Sequence, residues 1–292
     1  MQFIDEQAVK TRTKKRLTSN RLWKGVFMAA TSFALIMLAV LLYRIFSQGF
    51  SHLGWDFLTN FASRDPEKAG IKAALVGSLW LMLVVAPTSM ILGVATAIYL
   101  EEYAKKNKFN DFIRMNISNL AGVPSIVFGL LGLTIFVRLL ELGKSVLAAG
   151  FTMSLLILPV IIVAAQEAIR AVPNEQREAS YGMGATKWQT IVRVVLPAAI
   201  PGILTGSILA LSRAIGETAP LVVIGIPVIL QFLPTGVLDT FTTLPMQIYD
   251  WAKRPGESFQ PVASAGIIVL MVVLVFMNSI AVFIRNKFQK RY

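Results

Sequence analysis

The chain has 292 residues, 55% of them hydrophobic and only 15% charged, with no cysteine and a single histidine, His52. That balance excludes an ordinary soluble domain, disulfide or thiolate chemistry, and a histidine-based metal or catalytic centre. The formal charge of +12 raises nucleic acid as a partner. A polytopic membrane protein also concentrates lysine and arginine on its cytoplasmic side, so the distribution of the charge has to decide.

Residues 1–24 are polar and basic, with Lys10, Arg12, Lys14 and Arg16 among them. Such a run is expected to stay solvated on the cytoplasmic side and to touch anionic lipid. The uncharged run Gly25–Tyr43 is long enough to span and places a first transmembrane helix within 25–48. Its length, with no small-residue cleavage pattern straight after it, argues for a retained helix over a signal peptide. Phe46–Gly70 reads as a mixed polar loop with His52 at its surface. A second span covers Ile71–Leu100, a charged loop Glu101–Arg114, and a third span Met115–Val137. After a short turn, a fourth span covers Ser145–Gln166. A fifth starts near Pro197–Pro201 and runs to about Gly225. A long connection, Ile226–Pro261, follows; its first part, 226–237, is equally compatible with a loop, a helix extension or a re-entrant segment. A sixth span covers Val262–Ile284 ahead of a basic tail. The expected fold is an all-α polytopic membrane protein with six transmembrane helices. Pro87, Pro124, Pro159 and Pro220 fall inside these spans, where each removes a backbone hydrogen bond. Such prolines suit helices that line a path or hinge, and equally kinks that only improve packing.

Six spans put both termini on one side. Of the 28 lysines and arginines, nineteen lie in segments that are cytoplasmic if the N-terminus is inside, eight lie in the opposite segments, and Arg213 is left within a span. The bias supports both termini inside and puts the loop around residues 173–196 in the cytoplasm. Orientation therefore accounts for the charge, and nucleic acid is not needed.

That loop is the most structured polar stretch. Pro173 suits the start of a helix, where a missing N–H costs nothing. Asn174–Tyr181 is helix-competent, Gly182-Met183-Gly184 is a break, and Thr186-Lys187-Trp188-Gln189 reads as a capping box opening a second helix. Glu178-Ala179-Ser180, three residues, Gly184, nine residues, Val194, one residue and Leu196-Pro197 together resemble the EAA loop of ATP-binding-cassette (ABC) importer permeases, with Ser180 and Val194 in place of alanine and isoleucine. The resemblance implies that Glu178, Ala179, Ser180 and Gly184 dock a cytoplasmic ATPase.

Arg213 and Glu217 are charges within the fifth span, a costly placement that usually faces a polar interior. Read as one continuous helix, Gly202, Gly206, Ala210, Arg213 and Glu217 share a broad stripe, so the small-residue face suited to a partner helix also carries the charged pair. A guanidinium matches oxyanions bidentately. The carboxylate beside it fits a ligand that keeps a proton, as hydrogen phosphate does and sulfate does not. The competing account is an intrahelical ion pair that lowers the cost of two buried charges, although arginine before glutamate is the weaker order.

Leu211–Pro220 (LSRAIGETAP), Ala121–Val127 (AGVPSIV), and Leu244-Pro245 with Ile248-Tyr249 and Trp251 resemble phosphate ABC permeases of the PstA type. This resemblance covers roughly 70–285. It implies a type I importer permease core of five helices over 71–285, with one extra helix at the N-terminal side, in the bacterial cytoplasmic membrane. It implies as partners a paralogous PstC-type permease, a cytoplasmic ABC ATPase dimer and an extracytoplasmic phosphate-binding protein. Arg213, Glu217 and Thr218 become the expected substrate path. No cofactor is expected on this chain, and ATP-Mg belongs to the ATPase. Gly143-Lys144-Ser145 lacks the preceding glycine of a phosphate-binding loop, since Arg138 stands there. Asn116-Ile117-Ser118 is a glycosylation sequon in form only, at a cytoplasmic membrane edge. No metal spacing or nucleophile–base set is present, so the chain is expected not to be an enzyme. The alternatives are a permease of this fold for sulfate or molybdate, or a secondary transporter without an ATPase, which the 173–196 loop disfavours.

Overall fold

The computed structural model describes residues 6–288; residues 1–5 and 289–292, the last of which end the basic tail, lie outside it. The described residues are almost entirely helical, and their β pairing is limited to an isolated bridge, Ser145 with Thr240. Among the described residues, five helices are long and apolar enough to cross a membrane, and a bent pair of helices makes a sixth if the two are taken as one span.

Helix α1 runs over Glu6–Gly49, much further than Gly25–Tyr43. The basic stretch before Gly25 contains no proline or glycine and is rich in helix-forming lysine and arginine, so nothing ends the helix there. None of the apolar window of α1 is buried within the chain. Its final glycine, Gly49, lies against α12 (Gln260–Phe288), where a Cβ would come within 2.7 Å of the Ala265 nitrogen. Short turns, including α2 (Trp55–Thr59), lead to α3 (Lys72–Ile98), which continues as a wider π turn through Tyr103.

The third span, expected over Met115–Val137 with Pro124 inside it, is broken. Helix α4 (Lys108–Leu120) and α5 (Ser125–Gly132, prolonged as a π turn to Leu139) meet at 103° across Ala121–Pro124. Pro124 denies its N–H to the helix, and its ring would meet the carbonyl four residues back, at Leu120, where α4 stops.

Helix α6 (Val146–Arg170) is the centre of the bundle. Its first N–H groups, which have no partner within the helix, are all satisfied: Val146 N donates to Asp239 O (3.1 Å), Leu147 N to Val237 O (2.8 Å), and Ala148 N to the Ser145 hydroxyl (3.2 Å). Residues 226–237 are therefore a loop without regular secondary structure that folds back onto α6, with Ile226 and Leu230 buried. Val85 of α3 and Met153, Ile157 and Ile161 of α6 are at most 1% exposed and form the main core together with Ala210 and Ala214. Complete burial of such side chains contributes about 1.5–3 kcal/mol each in water, and less where lipid is the alternative surroundings.

After α7 (Asn174–Gly182) and α8 (Lys187–Thr190), a π turn over Ile191–Val195 leads into α9 (Leu196–Gly216). The fifth span thus ends at Gly216, not near Gly225. Glu217 has left the helix, with φ −76° and ψ 129°. Pro220 explains the stop as Pro124 explains the other: a continuing helix would press its ring on the Gly216 carbonyl. The chain restarts as α10 (Ala219–Ile224), with Pro220 in the first turn where no N–H is needed. Gly225 (φ +79°) closes α10 in the left-handed conformation that glycine adopts freely. Helix α11 (Leu244–Lys253) buries Trp251 completely against Phe57, ring centroids 5.8 Å apart, and α12 completes the bundle.

Candidate functional site

Two separate regions carry the residues singled out by sequence. The first is the α7–α8 hairpin. Pro173 occupies the position before the first helical residue of α7, and Gly184 takes φ +81°, which lets the chain reverse between the two helices. The capping box forms: Gln189 N donates to the Thr186 hydroxyl (3.3 Å) and Thr186 N to Gln189 Oε1 (2.8 Å). Glu178, Ala179 and Gly184 are exposed. Ser180 turns inward, its hydroxyl 2.9 Å from that of Thr190, which is 1% exposed. Ser180, one of the two departures from the EAA pattern, therefore joins α7 to α8. A groove of about 570 Å³ runs along this hairpin between Ala179, Ser180 and Met183 on one side and Arg193, Val194 and Ala198 on the other. Met183 is 89% exposed, with Tyr181 and Trp188 also uncovered, so the hairpin tip presents bulky apolar side chains to whatever meets it. The sequence reading treated Met183 only as part of a break; its place at the tip shows only in three dimensions.

Beside the hairpin lies an ionic cluster that spacing alone did not reveal. Glu101, on the π turn after α3, is 10% exposed and collects donors from two helices. Arg114 of α4 pairs with it, and from α6 Arg170 donates to both carboxylate oxygens (2.8 Å each) and Gln166 to one (3.0 Å). Its neighbour Glu102 pairs instead with Arg177 of α7 (3.1 Å). Lys187, at the start of α8, lies 5.0 Å over the Tyr103 ring. The residues involved are spread from 101 to 187, so the sequence showed only a charged loop.

The second region is the end of α9. Gly202 and Gly206 face a helix of the same chain, α6. A Cβ on Gly202 would stand 2.7 Å from the Ala168 Cβ, and one on Gly206 would overlap Ala164, so both small residues are used by α6 of the same chain. Ala210 is 1% exposed in the core. Arg213 lies off this face, its side chain 53% exposed, and bonds Glu217 Oε1 from Nε at 3.1 Å. Glu217 reaches back from the extended backbone beyond the helix end and is 19% exposed. The stripe expected from helical spacing therefore divides: the small residues turn inward, and the charged pair turns to open space. Thr218, half-buried, sits at the start of α10 without a side-chain cap bond. Helix α10 rests on α5, where a Cβ on Gly129 would come 2.8 Å from the Pro220 Cα, so the broken third span lies beside the broken fifth. Ser212, next to Arg213, hydrogen-bonds Asn278 of α12, a polar residue in an apolar run that the sequence reading passed over.

The single histidine lies elsewhere. The His52 ring is 3.1 Å from the Ser51 hydroxyl, in the turn after α1. Among the described residues, no group of three or more histidine, aspartate or glutamate side chains is placed to hold a metal ion.

This architecture is shared with solved transporters. The chain superposes with a TM-score of 0.67, at 15% identity, on a subunit of a bacterial alginate ABC transporter crystallised with an alginate pentasaccharide-bound periplasmic protein, covering 91% of this chain and 94% of that one. In sequence it is 36% identical over 207 residues to the probable ABC transporter permease protein YqgI of Bacillus subtilis (strain 168), covering 70% of each chain. It is 34% identical over 283 residues to the phosphate transport system permease protein PstA 1 of Mycobacterium tuberculosis (strain CDC 1551 / Oshkosh), covering 94% of this chain and 90% of that protein. The family model for binding-protein-dependent transport system inner membrane components matches residues 89–290. With five helices long and apolar enough to cross a membrane, a capped polar hairpin between two of them and a fold common to ABC importers, the chain belongs to that family of inner membrane transport components.

Proposed function

We propose that this chain is the permease subunit of an ATP-driven importer of inorganic phosphate in the bacterial cytoplasmic membrane, with both termini cytoplasmic. The observation that carries the reading is the Arg213–Glu217 pair, a half-exposed guanidinium held by a carboxylate where α9 breaks, off the face that packs on α6. A planar guanidinium recognises the oxygens of an oxyanion, and a carboxylate at 3.1 Å accepts a hydrogen bond from a ligand that retains a proton. Hydrogen phosphate meets both conditions, and sulfate meets only the first. The relatives named for phosphate transport, alike over nearly the whole chain, support the same substrate.

In this reading the open side of α9 and α10 faces a paralogous PstC-type permease, and the path runs between the two. The α7–α8 hairpin docks a cytoplasmic ABC ATPase dimer that binds and hydrolyses ATP-Mg, and an extracytoplasmic binding protein delivers phosphate. ATP binding closes the ATPase, pulls on 173–196 and opens the path outward; hydrolysis returns it inward. The chain contributes no chemistry of its own to hydrolysis.

ATP-dependent uptake of labelled phosphate into vesicles holding the assembled complex tests this, with sulfate and molybdate in parallel. Arg213→Gln is expected to lower phosphate uptake at least tenfold, about 1.4 kcal/mol, with assembly unchanged. Unchanged uptake would reduce the pair to a structural one. A wild-type complex that moved sulfate in preference, unaffected by Glu217→Gln, would reassign the substrate.

A further inference from the structure

Helix α7 presents an anomaly. It is the element offered to the ATPase, yet none of its nine residues is buried, so apolar packing does not hold it to the bundle. Its attachment is polar. Arg177 is only 15% exposed and distributes its donors over three helices. Nε and Nη2 reach one Glu102 oxygen (3.4 and 3.1 Å) at the end of α3. Nη2 also reaches the Ile169 carbonyl (2.8 Å) and Nη1 the Val172 carbonyl (2.5 Å) at the end of α6, and Nη1 lies 3.4 Å from Asn174 Oδ1 in α7 itself. Glu102 is 9% exposed. The Ile169 and Val172 carbonyls lie where α6 runs out of helical partners, so one planar group caps α6, holds α7 and binds the end of α3.

We infer that the Glu102–Arg177 ion pair is the tie through which movement of α7 reaches α3, so that these two residues position the coupling helix for transport. The inference rests on the reading of α7 as the ATPase-docking element. A pair only 9–15% exposed, in which two N–H groups converge on one carboxylate oxygen, links α7 to the end of α3, whereas a helix with no buried residue has little apolar packing to carry a displacement. The alternative is that Arg177 only caps α6. The two differ at Glu102: the carbonyl bonds to Ile169 and Val172 do not need the carboxylate, whereas the tie to α3 does.

The test is Glu102→Gln in the assembled complex, read as phosphate imported per ATP hydrolysed. The sequence has no cysteine, so Lys106→Cys and Glu175→Cys supply the chain's own pair of spin-label sites for a distance between the α3 side and α7. The tie predicts that the variant assembles and hydrolyses ATP, that the transport-to-hydrolysis ratio falls about tenfold, and that the label distance broadens. Glu102→Asp, which keeps the charge, is expected to recover most of the ratio. A ratio in Glu102→Gln equal to wild type, or hydrolysis and transport falling in proportion, overturns the inference. If Glu102→Gln does not assemble, the label distance in Glu102→Asp decides: a width between wild type and the doubly labelled Arg177→Lys supports the tie, and identical widths in all three overturn it. A wild-type complex that imports no phosphate counts against the transport assignment, while the label distances still test the tie.

Discussion

Glu101 offers the sharpest test of what holds the hairpin end of the bundle together. Replacing it with glutamine keeps its shape but removes the charge and turns an NH₂ towards guanidinium groups that can only donate. Four N–H groups from Arg114, Arg170 and Gln166 converge on the native carboxylate, which is 10% exposed. Breaking a fully buried pair costs about 3–5 kcal/mol, and an exposed one about 0–1 kcal/mol. This cluster lies between those limits. Arg114 is 25% exposed and still reaches the Leu100 carbonyl, and Arg170 is 48% exposed and still pairs with Glu167. We expect a loss of about 2 kcal/mol, roughly 30-fold in the folding equilibrium. Reversible unfolding of the lipid-embedded chain by titrated SDS measures it. Glu167→Gln is the internal reference, since that pair is exposed on both sides (48% and 67%) and is expected to cost under about 0.5 kcal/mol. If Glu101→Gln cost no more than Glu167→Gln, the cluster would contribute nothing beyond surface charge, and its part in fixing α4 against α6 would be wrong.

Three further outcomes follow from the packing and the loops. Gly206→Val places a branched side chain where even a methyl would overlap Ala164, and is expected to cost about 1–3 kcal/mol in the same titration, with partial recovery in the Ala164→Gly background. Ser180→Ala restores the usual residue of the EAA pattern but leaves the buried Thr190 hydroxyl without its side-chain partner; we expect a loss of about 1 kcal/mol, read as faster amide exchange across α7 and α8. The Thr235 hydroxyl first, then the Thr235 and Gly236 amides, hold the Asp239 carboxyl below its ordinary value of 3.8. A lowered carboxyl stabilises its turn above the unfolded value and loses that contribution as pH falls through the folded one. Protection of the Val146 and Leu147 amides, which bond the 237–239 carbonyls, should therefore decline below about pH 4 in the wild type and be flat with pH in Asp239→Asn.

What the sequence made legible was local or averaged. The capping box at Thr186–Gln189 formed as read, because both of its bonds lie within four residues. The apolar runs of α3, α6 and α12 appeared close to their expected limits, because hydropathy over twenty residues tolerates an error of a few at either end. Glu101, Arg114, Arg170 and Arg177 were invisible as a group, because no spacing rule links residues that only tertiary packing brings together.

The misplaced breaks have a different cause, since their signal was present. Five of the prolines within or beside the spans divide by their preceding turn. Pro87 follows LVVA, Pro159 follows LLIL and Pro201 follows PAAI; all three remain inside α3, α6 and α9. Pro124 follows LAGV and Pro220 follows GETA, and in both the helix ends on the residue four before the ring, Leu120 or Gly216. Proline alone removes one bond and kinks a helix that its neighbours hold in place. Proline with a glycine in the turn before it also meets the residue with least to lose by leaving the helix, and the two together end it. Treating all these prolines alike made Arg213 and Glu217 successive turns of one helix. The break instead frees Glu217 from helical register, and its carboxylate still comes back to 3.1 Å from the guanidinium, on a face that the small residues leave open. A carboxylate carried by a non-helical joint between α9 and α10 can change its distance to Arg213 without unwinding either helix, and under the proposed phosphate path that is the freedom an anion would need in order to enter between them and leave again.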